Sequence, residues 1–252
     1  MKILYFTSTG NNLYIAKNLG GELLSIPQLI KEGIYAFEDD AIGIIFPVFY
    51  ANAPKIVREF IEKATFKTEY LFLIASYGSD GDQNAFRILK KAFKKKGLEV
   101  NYTNSVLMVD NFLPMFDMKA EKEIKNQAEI DNQIETIRND IESRKEFHLK
   151  KRSISDIPYI ERVLEEAMTK RFHIIVGEGC SDCKVCARIC PKGNVDLSGG
   201  KPVIGDDCLF CLGCVHHCKE NVFTINGEKN SQERYSNSHI KVSEIIKSNN
   251  VL

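Results

Sequence analysis

Eight cysteines carry the clearest chemistry in the chain. They fall in two copies of one pattern, Cys180-x2-Cys183-x2-Cys186-x3-Cys190-Pro191 and Cys208-x2-Cys211-x2-Cys214-x3-Cys218, and each cysteine of the second copy stands 28 positions after its counterpart. Three thiolates on one tight loop can hold three corners of an iron–sulfur cubane, so the spacing reads as a pair of [4Fe-4S] sites. Zinc is the rival, because CxxC pairs also form tetrahedral thiolate sites. It explains less, since it leaves the third and fourth cysteines of each run idle or oddly arranged. Disulfides are disfavoured as well. The chain opens on the strand-like MKILYF, with no signal-peptide apolar stretch, no cleavage site and no apolar run long enough to span a bilayer, so the expected setting is a reducing cytoplasm.

The repeat extends beyond the cysteines. Ile175-Val176-Gly177-Glu178 ahead of the first run aligns with Val203-Ile204-Gly205-Asp206 ahead of the second, and the runs are followed by the alternating segments Asn194-Val195-Asp196-Leu197 and Asn221-Val222-Phe223-Thr224-Ile225. Each half reads as strand, cluster loop, strand. Over about residues 172–226 the pair resembles the bacterial two-cluster ferredoxin, a small α+β domain. That resemblance implies an exchange of fourth ligands, with one cluster on Cys180, Cys183, Cys186 and Cys218 and the other on Cys208, Cys211, Cys214 and Cys190. A segment this small cannot rely on an apolar core alone, so cluster assembly should be part of its folding. One departure from the family pattern is Lys219 after Cys218, where the first run has Pro191. A cation there either raises the potential of the cluster bound by Cys218 or points into water. His216 and His217 lie inside the second run, but eight cysteines already satisfy two clusters, so histidine ligation is not expected.

About 170 residues precede this segment, enough for one complete domain with a sizeable core. The 34 basic and 34 acidic side chains balance, which gives no reason to invoke nucleic acid or a membrane surface as partner. The first 110 residues alternate strand-like and helix-like patterns. Strands are expected at Lys2 to Phe6, Glu22 to Ile26, Ala41 to Phe46, Tyr70 to Ser76 and Val100 to Val109, with helices from about Asn12, near Pro54 to Lys63, and from Gln83 to Lys96. Strands apolar almost throughout are those buried on both faces of a parallel sheet. The alternation therefore predicts an α/β domain built on a doubly wound, five-stranded parallel sheet.

Ligands of such a sheet bind beyond the carboxyl ends of its strands, which directs attention to three turns. After the first strand, Thr7-Ser8-Thr9-Gly10-Asn11-Asn12 runs straight into a helix, where hydroxyls and backbone N–H groups can meet a phosphate without a lysine. The same residues could serve only as a helix N-cap. No GxGxxG and no GK[ST] signature is present, which argues against a dinucleotide or a nucleoside triphosphate. The loop resembles the FMN phosphate loop of flavodoxins, T-x-T-G-x-T, with Asn12 where the family has a hydroxyl; an amide still donates a hydrogen bond. The resemblance assigns the two further turns to the flavin ring. They are Pro47-Val48-Phe49-Tyr50-Ala51-Asn52 and Ser76-Tyr77-Gly78-Ser79-Asp80-Gly81, where aromatics can stack on the ring and small residues admit backbone groups to its edge. The plainer alternative is core-edge aromatics and an ordinary turn.

The fifth strand runs into an apolar loop, Asp110 to Met118, suited either to walling a pocket or to packing on the second domain. Ala120 to about Lys145 reads as one charged helix with Ile124, Ile130, Ile134, Ile137 and Ile141 on a narrow stripe, and Pro158 to Arg171 as a helix with Ile160, Val163, Leu164, Ala167 and Met168 at core spacing. Lys90, Lys91, Lys94, Lys95 and Lys96 read as a solvated helix face rather than a docking patch. The expected divisions are a flavodoxin-like domain over 1–150, a linker helix over 151–171, the ferredoxin domain over 172–226 and a polar tail over 227–252, a strap or helix with no assigned chemistry.

Taken whole, the chain resembles ferredoxin-like flavoproteins of anaerobes, a flavodoxin-type domain fused to a two-cluster ferredoxin. That resemblance implies FMN and two [4Fe-4S] clusters, and redox proteins as electron donor and acceptor. FMN takes one or two electrons and each cubane passes one, so the expected function is a low-potential electron relay. The alternative is an FMN-dependent reductase of a quinone, nitro compound or disulfide fed by the clusters. A sensor role would need an output domain, and none is legible.

Overall fold

The computed structural model describes residues 1–79, 82–149 and 160–252, apart from the side chains of 160–162. Asp80, Gly81 and the stretch 150–159 lie outside the described residues. The N-terminal part runs β1 (Lys2–Tyr5), α1 (Asn11–Leu19), β2 (Glu22–Ser25), α2 (Ile26–Glu32), β3 (Ala36–Glu38), β4 (Ala41–Pro47), α3 (Lys55–Lys63), β5 (Thr65–Lys67), β6 (Tyr70–Tyr77), α4 (Asp82–Lys94), β7 (Tyr102–Leu107), α5 (Met118–Ile124), α6 (Gln127–Glu142) and β8 (Phe147–His148). The main sheet is parallel, in the order β2-β1-β4-β6-β7-β8. Counting only its own strands, the first five follow the order 2-1-3-4-5, the flavodoxin-like doubly wound arrangement. Among the described residues the sheet has six strands rather than the expected five. The extra one is the two-residue β8, which pairs through Tyr102 with Phe147 and Thr103 with His148 and is too short to show a period of two. β3 and β5 form a separate parallel pair.

Side-chain alternation places each strand between two cores. Ile3, Tyr5, Ile45, Tyr70, Phe72, Ile74, Tyr102 and Val106 face one layer, with α1 and α6. Leu4, Phe6, Ile42, Ile44, Phe46, Leu71 and Leu73 face the other, with α2, α3 and α4. Gly43 has no side chain for a packing reason: a Cβ there would lie 2.1 Å from the ring of Phe72 on the neighbouring strand.

The second part runs α7 (Ile160–Arg171), β9 (Ile174–Val176), α8 (Val185–Ile189), β10 (Val195–Asp196), β11 (Val203–Ile204), α9 (Gly213–His216), β12 (Phe223–Ile225) and α10 (Val242–Asn249). The sequence repeat is also a conformational repeat. Asp182 and Phe210, Lys184 and Leu212, and Gly193 and Asn221 form pairs 28 positions apart, and all six have positive φ, between 49° and 60°. The outer strands β9 and β12 pair antiparallel, as do the inner strands β10 and β11.

Two expectations are corrected, and the tail, expected as a strap or helix, carries the helix α10. The helix expected over Ala120 to Lys145 is two helices, because Lys125 is extended and Asn126 caps α6 by accepting from Ala128 N at 3.0 Å. Ile130, Ile134, Ile137 and Ile141 are buried on α6, while Ile124, left on the other side of the break, is 67% exposed. α7 is not a core helix over its described side chains, since Val163 and Ala167 are exposed. The tail is structural. Ile240, Ile245 and Ile246 enter the same core as α1 and α6, Tyr5 Oη and Ser248 Oγ share a hydrogen bond of 2.8 Å, and Ser25 Oγ donates to Ser248 O. Ile245 is fully buried, so Ile245→Ala should cost about 2–5 kcal/mol in anaerobic urea unfolding, whereas an appended strap would lose nothing measurable.

Candidate cofactor site

The loop between β1 and α1 is closed from outside by residues far away in sequence. Thr7, Ser8, Thr9, Asn11 and Asn12 are all buried, and Gly10 takes a left-handed φ of 98° at the helix N-terminus. Gly10 N donates to Thr7 Oγ1 at 3.1 Å, and Asn111 Nδ2 donates to Thr9 Oγ1 at 2.8 Å. The tail satisfies the outward carbonyls: Asn249 Nδ2 donates to Thr7 O and Asn237 N to Thr9 O, both at 2.8 Å. Asn11 is turned toward the tail, accepting from Tyr235 Oη at 2.6 Å and Asn237 Nδ2 at 3.2 Å while its own Nδ2 reaches Val109 O at 3.5 Å. Asn12 Oδ1 is buried without a partner.

The turn after β4 is strained. Phe49 and Asn52 exchange two backbone hydrogen bonds of 2.8 Å across Tyr50 and Ala51, whose φ values of 53° and 58° are those of a type I′ turn normally given to Asn and Gly. Non-glycine residues in this region cost free energy and persist where the surroundings hold them. Here Asn84 Nδ2 donates to Ala51 O at 2.9 Å, and Val48 N bonds Ser76 O at 2.9 Å, tying this turn to the end of β6. Both polar atoms of the Asn52 amide are buried with no partner. Pro47 ends β4, Ser76 and Tyr77 end β6, and Gly78 and Ser79 follow.

Two neighbouring cavities with shared wall residues open at this rim. A polar one of about 40 Å³ is lined by Thr7, Ser8, Thr9, Asn11, Asn12, Pro47, Ser76, Tyr77 and Gly78, among others. An apolar one of about 280 Å³ is lined by Tyr50, Ala51, Ser79, Phe112, Phe116 and Met168, together with Phe210, Cys211 and Leu212 of the cysteine-rich segment. Val48, Phe49, Asp110 and Asn111 belong to both walls. The three turns are thus brought to one place, with Gly10 and Asn52 alone among their described residues lining neither cavity, and a fourth strand end, Val109 to Asn111, joins them.

Burial raises the Asp110 carboxyl to about 6, helped by the negative charge of Glu121 and opposed by a hydrogen bond from Phe112 N, by Lys125 and by Ser79. Its backbone N donates to Glu121 Oε2 at 3.1 Å. Lys125, the nearby cation, is divided between Glu121 at 3.6 Å and Gly78 O at 3.1 Å.

The eight cysteines divide into two groups of four, each around its own small cavity. One is lined by Cys180, Cys183, Cys186 and Cys218, the other by Cys190, Cys208, Cys211 and Cys214. Each group takes three cysteines from one run and the fourth from the other. The pseudosymmetry reaches the sulfurs, since Asn194 N donates to Cys190 Sγ and Val222 N to Cys218 Sγ, both at 3.3 Å. Burial lifts the free thiols of Cys186 and Cys211 to about 11 and about 12, so a metal bound there must displace protons. Lys219 is exposed, the plainer of its two readings. His216 and His217 are buried and bonded to protein groups. Tyr235 N donates to His216 Nδ1 at 3.1 Å, so Nε2 carries the proton and donates to Asn111 O at 2.8 Å. His217 Nδ1 donates to Gly213 O at 2.8 Å.

The strand order and the two four-cysteine groups define a flavodoxin-like α/β domain joined to a cysteine-rich, ferredoxin-like segment. No protein-family model matches the chain. A ferredoxin of Methanothermococcus thermolithotrophicus is 35% identical over 46 residues, 18% of this chain and 77% of that protein. Through this segment the chain belongs to the ferredoxin family. Among solved structures, a Fusobacterium nucleatum flavodoxin bound to flavin mononucleotide is 13% identical over 57% of this chain and 97% of its own, with a TM-score of 0.37. A flavone reductase aligns with 99% of this chain and 88% of its own at 14% identity and a TM-score of 0.36.

The loop from Asp110, expected either to wall a pocket or to pack on the second domain, does line both cavities through Asp110 and Asn111, and Val109, read only as the end of a strand, joins it in the polar one. Sequence reasoning missed Phe210, Leu212, Tyr235, Asn237 and Asn249, which only the fold brings to the rim. The raised Asp110 carboxyl gives a signed prediction. The native state holds this proton more tightly than an unfolded Asp of about 3.9, so Asp110 contributes stability at low pH that is lost as pH rises from about 4 through about 6. Asp110→Asn should therefore gain stability over the wild type as pH rises from 4 to 7, read from urea midpoints; a constant difference would contradict it.

Proposed function

We propose that the chain binds one FMN and two [4Fe-4S] clusters and passes electrons between them. The carrying observation is that Cys211 lines both a four-cysteine cavity and the apolar cavity at the sheet rim. A cluster on Cys208, Cys211, Cys214 and Cys190 would therefore sit against the flavin ring, with the cluster on Cys180, Cys183, Cys186 and Cys218 behind it. The residues fit these groups. Each small cavity presents four thiols and, in both, a backbone N–H to the crossed-over sulfur. The polar cavity presents hydroxyls, a helix N-terminus and the unpartnered Asn12 amide oxygen, whose amide can turn its N–H₂ to a phosphate. FMN, when bound, would supply the exchange between two-electron and one-electron chemistry.

Within this reading Thr7, Ser8, Thr9, Gly10 and Asn12 hold the phosphate. Asn11 acts through its side chain as a strut to the tail, keeping the loop in shape. Pro47, Val48, Phe49, Tyr50, Ala51 and Asn52 flank one side of the ring, and Ser76, Tyr77, Gly78 and Ser79 its pyrimidine edge. Phe112, Met115 and Phe116 exclude water. Domain limits of 1–150, 172–226 and a linker between them serve this arrangement, with the tail of 227–252 working as part of the first domain. Donor and acceptor are redox proteins.

The reductase reading is favoured by one feature. The apolar cavity of about 280 Å³ is large for a ring edge that only another redox centre approaches, and its aromatic walls suit a small planar acceptor. Kinetics of reoxidation separate the two. When the anaerobically reduced protein is mixed with a quinone, a nitro compound or a disulfide, a reductase shows a flavin reoxidation rate that saturates with acceptor. A carrier shows a rate that stays linear.

Anaerobically purified protein should contain about eight irons and eight sulfides by the two-cubane count, with one FMN; stoichiometric zinc with little iron would refute the reading. Thr9→Ala should weaken FMN binding about tenfold or more, since a hydrogen bond to a charged group contributes about 1.5–3 kcal/mol, and should leave cluster absorbance intact. Full FMN affinity in that variant would remove Thr9 from the phosphate site.

A further inference from the structure

Electrons delivered by iron–sulfur centres arrive without protons, whereas two-electron reduction of a flavin fixes a proton on the ring. A ring enclosed by the two cavities at the sheet rim needs a proton source within their walls. Among the described lining residues the side chains that can give up a proton are Tyr50, Tyr77, Asp110 and Cys211. Burial pushes the Tyr50 hydroxyl above its ordinary value, and the Cys211 thiol is raised in the same way and assigned to a cluster. Asp110 is the one carboxyl, and it stands where the polar and apolar cavities meet.

Its surroundings keep it there and keep it unneutralised. A Cβ at Gly78 would fall 2.2 Å from the Asp110 Cβ, so glycine is what allows the carboxyl to lie over the end of β6. Phe112 N donates to Asp110 Oδ1 at 3.2 Å, which fixes the side chain in a local turn. The charged groups facing it come from α5 and the residue after it. Glu121 accepts from the Asp110 backbone, and Lys125 is committed to Glu121 and to Gly78 O. No described cation forms an ion pair with the Asp110 carboxylate, so the group is free to exchange a proton near neutral pH, the range in which a general acid is most effective.

We propose that Asp110 is the proton donor for two-electron reduction of the flavin; this inference rests on the FMN reading above. In the step, two reduced clusters each give up one electron and return to their oxidised state. The O–H bond of the Asp110 carboxyl breaks, an N–H bond forms on the flavin ring, and the carboxylate takes a new proton from water through the polar cavity. The balance is FMN plus two electrons plus one proton, giving the anionic reduced flavin. The clusters are re-reduced by a low-potential one-electron donor, dithionite in the test.

The test is stopped-flow reduction of the anaerobic holoprotein by excess dithionite between pH 5 and 8.5, following flavin and cluster absorbance separately. In the wild type the flavin rate should fall about tenfold per pH unit above the pKa of the acid. Asp110→Asn should slow flavin reduction at least tenfold at pH 6, remove that pH dependence and leave cluster reduction unchanged, and Asp110→Glu should restore most of the rate and the slope. An Asp110→Asn protein with wild-type rate and profile overturns the inference while leaving FMN binding intact. If Asp110→Asn fails to retain FMN, the wild-type profile decides, and a flat profile from pH 5 to 8.5 overturns it. A wild type that takes up no FMN, seen in its absorbance before mixing, overturns the cofactor reading and this inference together.

Discussion

The arrangement of the rim depends on the burial of Leu113 and Met118. Leu113 lies in the loop leaving β7 and Met118 opens α5 at the end of that loop, and both are buried within the core of the cysteine-rich segment, alongside Phe172, Leu212, Val215 and Phe223. With Leu113 held there, the adjacent Phe112 is fixed edge-on to Phe172, Phe210 and Tyr50, with ring centroids 5.6, 6.2 and 5.9 Å apart. The same loop supplies Asp110 and Asn111 to the cavities at the strand ends. One apolar anchor therefore positions both sides of the proposed flavin site, and the second four-cysteine group comes to its wall as a consequence.

The other half of the arrangement is polar. A loop that presents its N–H groups inward must satisfy its outward carbonyls, since unpaired buried backbone groups are costly. Thr7 O and Thr9 O find partners in Asn249 and Asn237. α10 also packs against α8, the helix that carries Cys186. Through His216, Asn111 and Thr9 a second hydrogen-bonded path runs from the cysteine segment to the loop between β1 and α1. The neutral state of His216, held by burial with its pKa down at about 3, keeps the tautomer this path requires. The two halves of the chain thus share one framework of contacts.

Much of this was legible in the sequence, for identifiable reasons. The cysteine spacing exposed the ferredoxin segment because the two halves are related by a true structural repeat, down to the matching positive φ at Lys184 and Leu212. The strands β4 and β6 were readable because each is buried on both faces and apolar nearly throughout. What escaped was tertiary. β8 has two residues and no period of its own. The break at Lys125 and Asn126 lies in a stretch whose charges fit a continuous helix. The tail was read as polar because its asparagines serve the interior of the molecule, with Asn237 and Asn249 both buried. The cavity wall of Phe210 to Leu212 could not be placed before the docking of the second segment was known.

The central claim is that one cluster site and the flavin site share a wall at Cys211. The most direct measurement is a crystal structure of the anaerobic holoprotein with anomalous diffraction recorded at the iron edge. The account predicts two compact groups of iron, one on each set of four cysteines, and a flavin ring seated in the apolar cavity against Phe210, Cys211 and Leu212. Single metal ions at the cysteines, or a flavin ring bound away from that wall, would contradict it.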